Sequence, residues 1–473
     1  MDHARPSESS WDTAPVVYDE GQEWTYGETA DRPSFLQQLI PRGFLEWFVI
    51  SQTAIPGLMY LPGSQAYRLP LRIGAYAIAL LGFLIWWLDR YHAERDRHPS
   101  QRWLILALLY LCLMIFHPLT SGLTAGVAQT LLYAAILSPI FWVPAFIDKP
   151  QQLVRLLAIM LICNGINAMV GVLQVYNPDR FMPSQLSLAL SRTALQSATY
   201  IGPDGRPIIR PPGLFDTPGA VCGPGTVAAL LGLVFAIEQF AWWKRAVALL
   251  FSLAGISAIY LSHVRANFVV ALGMMAVYAT TLLFQNQKFR LTAFATLSTG
   301  VVILGLAAST VLGGEGIRER FGTLLGDDPR TLYYQSRGQQ IETGFSELAN
   351  QYPFGAGLAR WGMMHGYFGD RTKLESTEIW AEVQPTVWLL DGGFPLMLLY
   401  IAALAGAVTY EWRLAMKLEV REDRYWAATV AAVNIGTLAL VFSFVPFVTQ
   451  VGLQFWFLEG ALHGAMSRRL RRS

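Results

Sequence analysis

Charge is scarce in this sequence. Of its 473 residues 14% are Asp, Glu, Lys or Arg and 53% are hydrophobic, whereas about a quarter of a water-soluble chain is charged. The formal net charge of +2 gives no electrostatic reason to expect a nucleic-acid partner. Cysteine is scarce too. Cys112, Cys163 and Cys222 lie in or beside apolar stretches without metal-ligand spacing, so we interpret them as small buried hydrophobes.

Long apolar runs separated by short polar connections fill most of the chain. Because a helix that spans a bilayer needs about 20 mostly apolar residues, these runs predict an all-α integral membrane protein with about 12 transmembrane helices. The expected segments are 43–61, 70–88, 103–118, 124–147, 156–176, 219–240, 246–262, 267–284, 291–312, 384–409, 425–445 and 447–465.

Basic residues cluster in the short connections between these segments. With twelve spans, every cluster falls on the same side as both termini, and the bias of Lys and Arg towards the cytoplasm predicts that this side is cytoplasmic. Residues 1–42 are polar and poor in aliphatic side chains, so we expect a disordered cytoplasmic tail. Residues 467–473 form a basic cytoplasmic tail at the other terminus.

Two long loops remain for the opposite, periplasmic face. Loop 177–218 interrupts the first nine helices, 43–312, and loop 313–383 precedes the last three helices, 384–466. The second loop has a helical pattern near 339–350 and then a turn-rich stretch rich in Gly and Pro. We therefore predict a large, partly helical periplasmic loop that forms a small structured cap.

Three arginines fall at or near the expected periplasmic face. Arg265 lies at the outer boundary of two helices, Arg210 lies in a Pro/Gly-rich turn, and Arg337 precedes the helical stretch of the large loop. Each has an ordinary alternative, since Arg265 can snorkel to the interface, Arg210 can be a loop residue and Arg337 can be a solvated residue. Guanidinium groups hold phosphate oxygens bidentately, so convergence of the three would suit a lipid diphosphate.

Acidic and aromatic residues of the large loop are the other candidates. Glu378 and Glu382 are four residues apart and would share one helix face. A carboxylate there can serve as general base towards a sugar hydroxyl, although an acidic surface helix is the ordinary interpretation. The loop aromatics can stack on sugar rings, but aromatic residues are also enriched at membrane interfaces, which we favour for each of Trp361, Tyr367, Phe368 and Trp380.

The order of short motifs along residues 200–400 resembles the O-antigen ligase and O-antigen polymerase superfamily of bacterial envelope glycosyltransferases. The order and placement of these motifs are more specific than any one of them. The motifs are Arg210-x-x-Gly213-x-Phe215 before a helix, Ser262-x-x-Arg265 at a helix end, Ser336-Arg337, Pro353-Phe354-Gly355-x-Gly357, and Trp388-Leu389-Leu390-Asp391-Gly392-Gly393 in a later span.

The resemblance implies a GT-C-like glycosyltransferase of the bacterial inner membrane without metal or other cofactor. Its donor would be an undecaprenyl-diphosphate-linked glycan, its acceptor a glycan or lipid-anchored molecule, and other polysaccharide-assembly proteins would be further partners. Position by position, Arg210 and Arg265 match the family's arginines at the membrane boundary, and Arg337 matches the arginine of the large loop. We add Arg360, Trp361 and Glu378 to the residues expected to contact the donor.

One position departs from the family pattern. Where members commonly have His-Asn shortly before the glycine aligned with Gly393, this chain has Glu382-Val383. Glu382 can accept the acceptor proton because it is already ionised at neutral pH. His365 can substitute from elsewhere in the loop, or catalysis has been lost. We favour Glu382, and the absent histidine favours a polymerase of repeat units over a ligase.

Two other functions remain as alternatives. A lipid-linked oligosaccharide transporter or flippase would carry charged residues near the centres of several spans. The acidic residues that we find inside spans, Glu46, Glu238 and Glu459, are expected near helix ends, which disfavours this alternative. A non-catalytic subunit of an envelope polysaccharide assembly machine is the second alternative, because the His-Asn pair is missing.

Overall fold

A computed structural model describes residues 43–88, 97–183, 198–201, 207–238, 241–326, 328–370 and 379–470. These residues are overwhelmingly helical, which confirms the all-α prediction apart from one small antiparallel pair of strands, β1 (Thr199–Ile201) and β2 (Pro207–Ile209), in which Thr199 pairs with Ile209. The predicted N-terminal tail 1–42 and the last three residues of the basic tail lie outside the described residues.

The helices follow one another through short connections. In chain order they are α1 Phe44–Gly57, α2 Arg68–Leu88, α3 Gln101–Met114, α4 Leu123–Leu137, α5 Pro139–Trp142, α6 Pro150–Tyr176, α7 Pro178–Phe181, α8 Cys222–Glu238, α9 Trp242–Leu261, α10 Arg265–Phe284, α11 Lys288–Gly326, α12 329–351, α13 Gly362–Phe368, α14 Gln384–Lys417, α15 Arg421–Ala439 and α16 Gln450–Leu470. Single 3₁₀ turns occupy Leu58–Tyr60, Ser64–Tyr67, Val143–Ala145, Leu440–Phe442 and Pro446–Val448.

Each of the twelve predicted segments coincides with a helix, but the helices differ in their capacity to cross a bilayer. Within the described residues, eight are long and apolar enough: α2, the α4–α5 run Leu123–Ala145, α6, α9, α10, α11 as far as Val311, α14, and α15 with its 3₁₀ extension to Phe442. Helices α3 and α8 are apolar but shorter, and α1 and α16 belong to neither group. The chain is thus a multi-pass membrane protein, and twelve spans stays a prediction.

Helices α10 and α15 pack antiparallel, and their register fixes which ends meet. At one end of the pair the Gln285 side-chain amide, just past α10, donates to the carbonyl of Arg424 in α15 at 3.2 Å. Further along, Gly436 of α15 lies so close that an added Cβ would be 2.2 Å from Met274 Cγ of α10. The same register brings Arg265, the first residue of α10, to the far end of α15, and α10 also contacts the Leu440–Phe442 turn there.

The large loop is more helical than its sequence predicts. Helix α11 continues to Gly326, well past the predicted end at 312. Helix α12 is continuous from 329 to 351 and includes two π-helical turns, Tyr334–Gly338 and Gly344–Leu348. Our prediction that a helix begins after Arg337 is therefore wrong. Arg337 lies inside α12, where the helix dipole gives no reason against a basic side chain.

The turn-rich stretch 352–357 packs directly against a kink in α14. Gly393 has φ +63° and ψ −158° inside the helix, and an added Cβ there would lie 2.1 Å from the Pro353 carbonyl oxygen. The backbone N–H of Ala356 donates to the Leu390 carbonyl at 2.7 Å, and that of Phe394 donates to the Pro353 carbonyl at 3.0 Å. A side chain at position 393 would push the two segments apart, which explains the glycine.

Acidic residues inside helices follow our expectation only in part. Glu46 and Glu238 lie near helix ends, in ion pairs with Arg155 (Nε–Oε1, 3.2 Å) and Arg290 (Nη2–Oε1, 2.9 Å) respectively. The expectation is wrong for Glu459, which lies in the interior of α16 with its side chain fully buried. The error arises because α16 extends further than the apolar run that predicted it.

Candidate functional site

The turn that carries Arg210 is tied to buried polar side chains of α6. The Gly213 N–H donates to Gln174 Oε1 at 2.9 Å, and Gln174 Nε2 donates back to the Gly213 carbonyl at 2.8 Å. The Leu214 N–H donates to Asn167 Oδ1 at 3.0 Å, and the Tyr60 hydroxyl donates to the Gly213 carbonyl. Buried amides paired in this way fix a loop that would otherwise move freely.

Glycine is the only residue type that fits position 213 of this turn. Its φ is +65°, a conformation that L side chains rarely adopt. An added Cβ would lie 2.0 Å from Asn167 Oδ1, the oxygen that accepts from Leu214. The glycine of the Arg210-x-x-Gly213 motif therefore lets the turn approach α6 closely enough to be hydrogen-bonded.

Arg210 is a half-buried cation without a carboxylate partner among the described residues. Its Nε is buried and makes no hydrogen bond there. Burial lowers the pKa of Arg210, but a guanidinium still remains protonated. The side chain therefore presents uncompensated positive charge, which is costly unless an anion binds.

Asp216, the acidic residue of the same turn, pairs with two other arginines. Asp216 Oδ2 accepts from Arg68 Nε at 2.7 Å and from Arg72 Nε at 2.6 Å, both on α2. Burial raises the pKa of Asp216, but the hydrogen bonds and charges of Arg72 and Arg68 outweigh it, so the pKa lies below its ordinary value. Arg72 Nη1 also lies 3.3 Å from the Tyr367 hydroxyl, which links this turn to α13.

The Arg210 turn lies beside the segment that leads into Arg265. A Cβ added to Gly219 would lie 3.9 Å from Arg210 Cδ and 3.3 Å from Val264 Cγ2. Arg265 follows directly as the first residue of α10, where the helix dipole disfavours a cation. The structure therefore brings together the two segments that were predicted to place Arg210 and Arg265 at one boundary.

Arg337 and Glu382, from two parts of the large loop, form an ion pair. Arg337 Nη1 donates to Glu382 Oε2, and each side chain is 32% exposed. Arg337 Nε donates to the Ser443 carbonyl at 3.2 Å, and the Glu382 N–H donates to Gln340 Oε1 at 3.1 Å. The Glu382 carboxylate is thus held by Arg337 and lies at the margin of solvent.

Ser443 places this ion pair at the end of α15 that α10 reaches with its first residues. It follows the Leu440–Phe442 turn at the end of α15, which is the end that the first turn of α10 reaches. Gln384, next to Glu382, donates from its backbone N–H to the Phe444 carbonyl at 3.1 Å. Arg265, Arg337 and Glu382 therefore lie at the same end of the α10–α15 pair, and the Arg210 turn adjoins the segment that precedes Arg265.

His365 and Arg360 are buried beneath the turn-rich stretch. His365 is 6% exposed, and its Nδ1 lies 3.0 Å from the Ala359 carbonyl and 3.1 Å from Ser121 Oγ. Arg360 is 4% exposed, and its Nη1 donates to the Ala356 carbonyl at 3.2 Å. Both side chains hold the chain segments around them, and neither faces solvent as Glu382 does.

Trp361 differs from both interpretations that its sequence context allows. The ring is 7% exposed, and its Nε1 donates to Asp391 Oδ1 at 2.9 Å. Asp391, fully buried in α14, also accepts from the Tyr133 hydroxyl at 2.6 Å and from Gln129 Nε2 at 3.2 Å. A ring enclosed in this way presents neither a sugar-stacking surface nor an interface side chain in this structure, and contact of Trp361 with the donor stays a prediction.

Sequence reasoning missed most of the residues that position the site. They are two arginines in the first turns of α2, single polar residues in largely apolar segments, and the aspartate of the turn itself: Arg68, Arg72, Tyr60, Asn167, Gln174 and Asp216. An amide inside an otherwise apolar span is a signal for them, because it needs a partner there. Glu378 lies outside the described residues, and within the described part no group of three or more His, Cys, Asp or Glu is arranged to hold a metal.

Comparison of the chain with models of known protein families gives no match. Comparison with curated protein sequences gives no match either. The motif order described above and the geometry of the site are therefore the grounds for any functional conclusion.

Proposed function

We propose that this chain is a bacterial inner-membrane glycosyltransferase that moves a glycan from a polyprenyl-diphosphate donor to a glycan or lipid-anchored acceptor at its periplasmic face. Polymerisation of repeat units is the form that we favour, with ligation to a lipid anchor as the alternative. The observation that carries the proposal is Arg210, a half-buried cation beside the Arg265 segment that has no carboxylate partner among the described residues.

The arginines would bind the donor's diphosphate. A diphosphate has several oxygens that accept from planar guanidinium groups, and this geometry suits arginine better than lysine. The Arg210 turn adjoins the segment that leads into Arg265 at the start of the apolar helix α10, where a polyprenyl chain can stay in the bilayer while its headgroup leaves it. Charge that builds up on the departing diphosphate would be stabilised there.

Glu382 would act as the general base. The acceptor hydroxyl oxygen attacks the anomeric carbon, the bond from that carbon to the diphosphate oxygen breaks with its electron pair, and the hydroxyl proton passes to Glu382. Its ion pair with Arg337 orients the carboxylate before substrate binds. If the diphosphate takes over Arg337, the carboxylate becomes free to accept the proton at the moment when the donor is in place.

Donor binding by purified protein in lipid nanodiscs tests the arginine assignment. We expect Arg210→Gln to weaken binding of a polyprenyl-diphosphate glycan by about tenfold or more, since a hydrogen bond to a charged group contributes about 1.5–3 kcal/mol. Arg155→Gln is the matched control, because Arg155 already pairs with Glu46 and its side chain is 70% exposed.

A polyprenyl-linked glycan without the diphosphate separates headgroup binding from lipid binding. It should bind equally weakly to the wild type and to Arg210→Gln. Equal affinity of Arg210→Gln and the wild type for the diphosphate donor would reject the site.

A further inference from the structure

A second polar cluster lies inside the helix bundle, between α14, α15 and α16. Glu411, near the C-terminal end of α14, and Glu459 of α16 are both fully buried, and their carboxyl groups are neighbours. Asn434 of α15 donates from Nδ2 to Glu411 Oε1 at 2.5 Å. None of these residues takes part in the proposed glycan transfer.

His98 completes the cluster with a defined orientation. The Ser100 N–H donates to His98 Nδ1 at 3.2 Å, so the neutral ring carries its proton on Nε2. That nitrogen lies 3.3 Å from Glu459 Oε2, and both side chains are 0% exposed. The protonated ring nitrogen therefore lies beside one carboxyl of the pair without forming a hydrogen bond of normal geometry to it.

The two carboxyl groups have too few donors for two negative charges. Glu411 Oε2 and both Glu459 carboxyl oxygens are buried and accept no hydrogen bond of normal geometry from the described residues. Two adjacent carboxylates inside apolar surroundings repel one another and lose their hydration, so they cannot both be ionised. A proton shared between them removes one charge and supplies one donor.

Tyr410 lies between the cluster and a cavity. The Tyr410 hydroxyl lies 2.8 Å from His463 Nδ1, and the edge of the Tyr410 ring meets His98 with centroids 4.8 Å apart. Tyr410 also lines a cavity of about 270 Å³ together with Pro99 and the exposed Arg413. The segment 139–145, which packs on the other side of α16, contains no titratable residue.

We propose that Glu411 and Glu459 hold one exchangeable proton inside the membrane, with Asn434 as the donor that orients Glu411, His98 beside Glu459, and the Tyr410 cavity as the route of exchange. Intramembrane carboxyl groups that face a bundle interior and an aqueous cavity mark proton pathways in other membrane proteins. The proposal does not depend on the proposed glycan transfer, and a failure of either leaves the other standing.

Infrared titration of the protein in nanodiscs tests this proposal, because a protonated carboxyl absorbs apart from an ionised one. In the wild type we expect a protonated-carboxyl band that loses intensity within about pH 5 to pH 10. Glu459→Gln should remove the part of that pH dependence that comes from this pair. The control Glu238→Gln, which removes a carboxyl already paired with Arg290, should leave it unchanged.

Asn434→Ala is a second variant that keeps both carboxyl groups. It removes the donor that stabilises ionised Glu411, so the titration should move to higher pH. A wild-type band that is absent, or constant over the whole range, would overturn the proposal. So would a titration that shifts when sodium chloride replaces choline chloride, because the site would then bind sodium.

Discussion

Replacement of Glu382 by glutamine separates catalysis from stability at the proposed site. Glutamine has almost the same size and still offers an oxygen to Arg337, but it cannot accept a proton from an acceptor hydroxyl. One contact, between Arg337 Nη1 and Glu382 Oε2, joins the two side chains. We expect Glu382→Gln to fold like the wild type and to lose glycan transfer.

The structure gives the expected size of both effects. Each side chain of the pair is 32% exposed, and ion pairs open to solvent typically stabilise a protein by about 0.2–1 kcal/mol. Arg337 also keeps its hydrogen bond to the Ser443 carbonyl. A positioned general base contributes about 10²–10⁴-fold to rate, or about 2.7–5.4 kcal/mol of activation free energy. The loss of rate should therefore far exceed the loss of stability.

Single-turnover transfer at saturating donor measures the first effect, and thermal unfolding in nanodiscs measures the second. Glu347→Gln is the matched control, since Glu347 is an exposed glutamate of the same loop, on α12. A Glu382→Gln protein that transfers glycan at the wild-type rate would refute the base assignment. A fall in unfolding temperature that accounts for the whole loss of transfer would make the pair structural.

Two further predictions concern the turn that carries Arg210. Gly213→Ala should lower the free energy of unfolding by about 1 kcal/mol or more and weaken donor binding, because its Cβ would clash with Asn167 Oδ1. The control for backbone strain alone is Gly63→Ala, because Gly63 has φ +80° and nothing within 4 Å of an added Cβ. Thermal unfolding of both variants measures the difference. The pKa of Asp216 is lowered in the fold by Arg72 and Arg68. The two ion pairs therefore stabilise the protein above the unfolded pKa of about 3.9, and this stabilisation is lost as the pH falls through the folded pKa. Unfolding temperature should therefore fall more steeply in acid for the wild type than for Asp216→Asn, and identical slopes would contradict this.

The positions of the helices follow from the sequence because the length of an apolar run is itself the physical requirement for crossing a bilayer. Helical extensions beyond the apolar run do not follow from the length of that run. Residues 313–326 contain glycines and charges that end an apolar run without ending a helix, and α11 continues through them. The same limitation explains why Arg337 is found inside α12, since the pattern at 339–350 shows only part of that helix.

Residues that position the site were harder to predict than residues that carry charge. Arg210 and Arg337 stand out in the sequence because a cation beside an apolar segment is unusual. Asn167 and Gln174 do not stand out in the sequence, because the residues around them in α6 are mostly apolar, although the two amides fix the Arg210 turn. The Arg337–Glu382 ion pair joins residues far apart in the chain, and only the packing of α12 against the segment before α14 brings them together.

The arginines of the site differ in how their charge is compensated, and this difference orders the proposed events. Arg337 already has a carboxylate and a carbonyl, so its burial costs little in the absence of substrate. Arg210 has a buried Nε without a hydrogen bond in the described structure, so folding alone gives no reason to retain it. An anion would gain most by binding first at Arg210 and only then competing with Glu382 for Arg337. Donor binding would thereby release the base, which couples deprotonation of the acceptor to the presence of the diphosphate and protects the donor from premature attack by water.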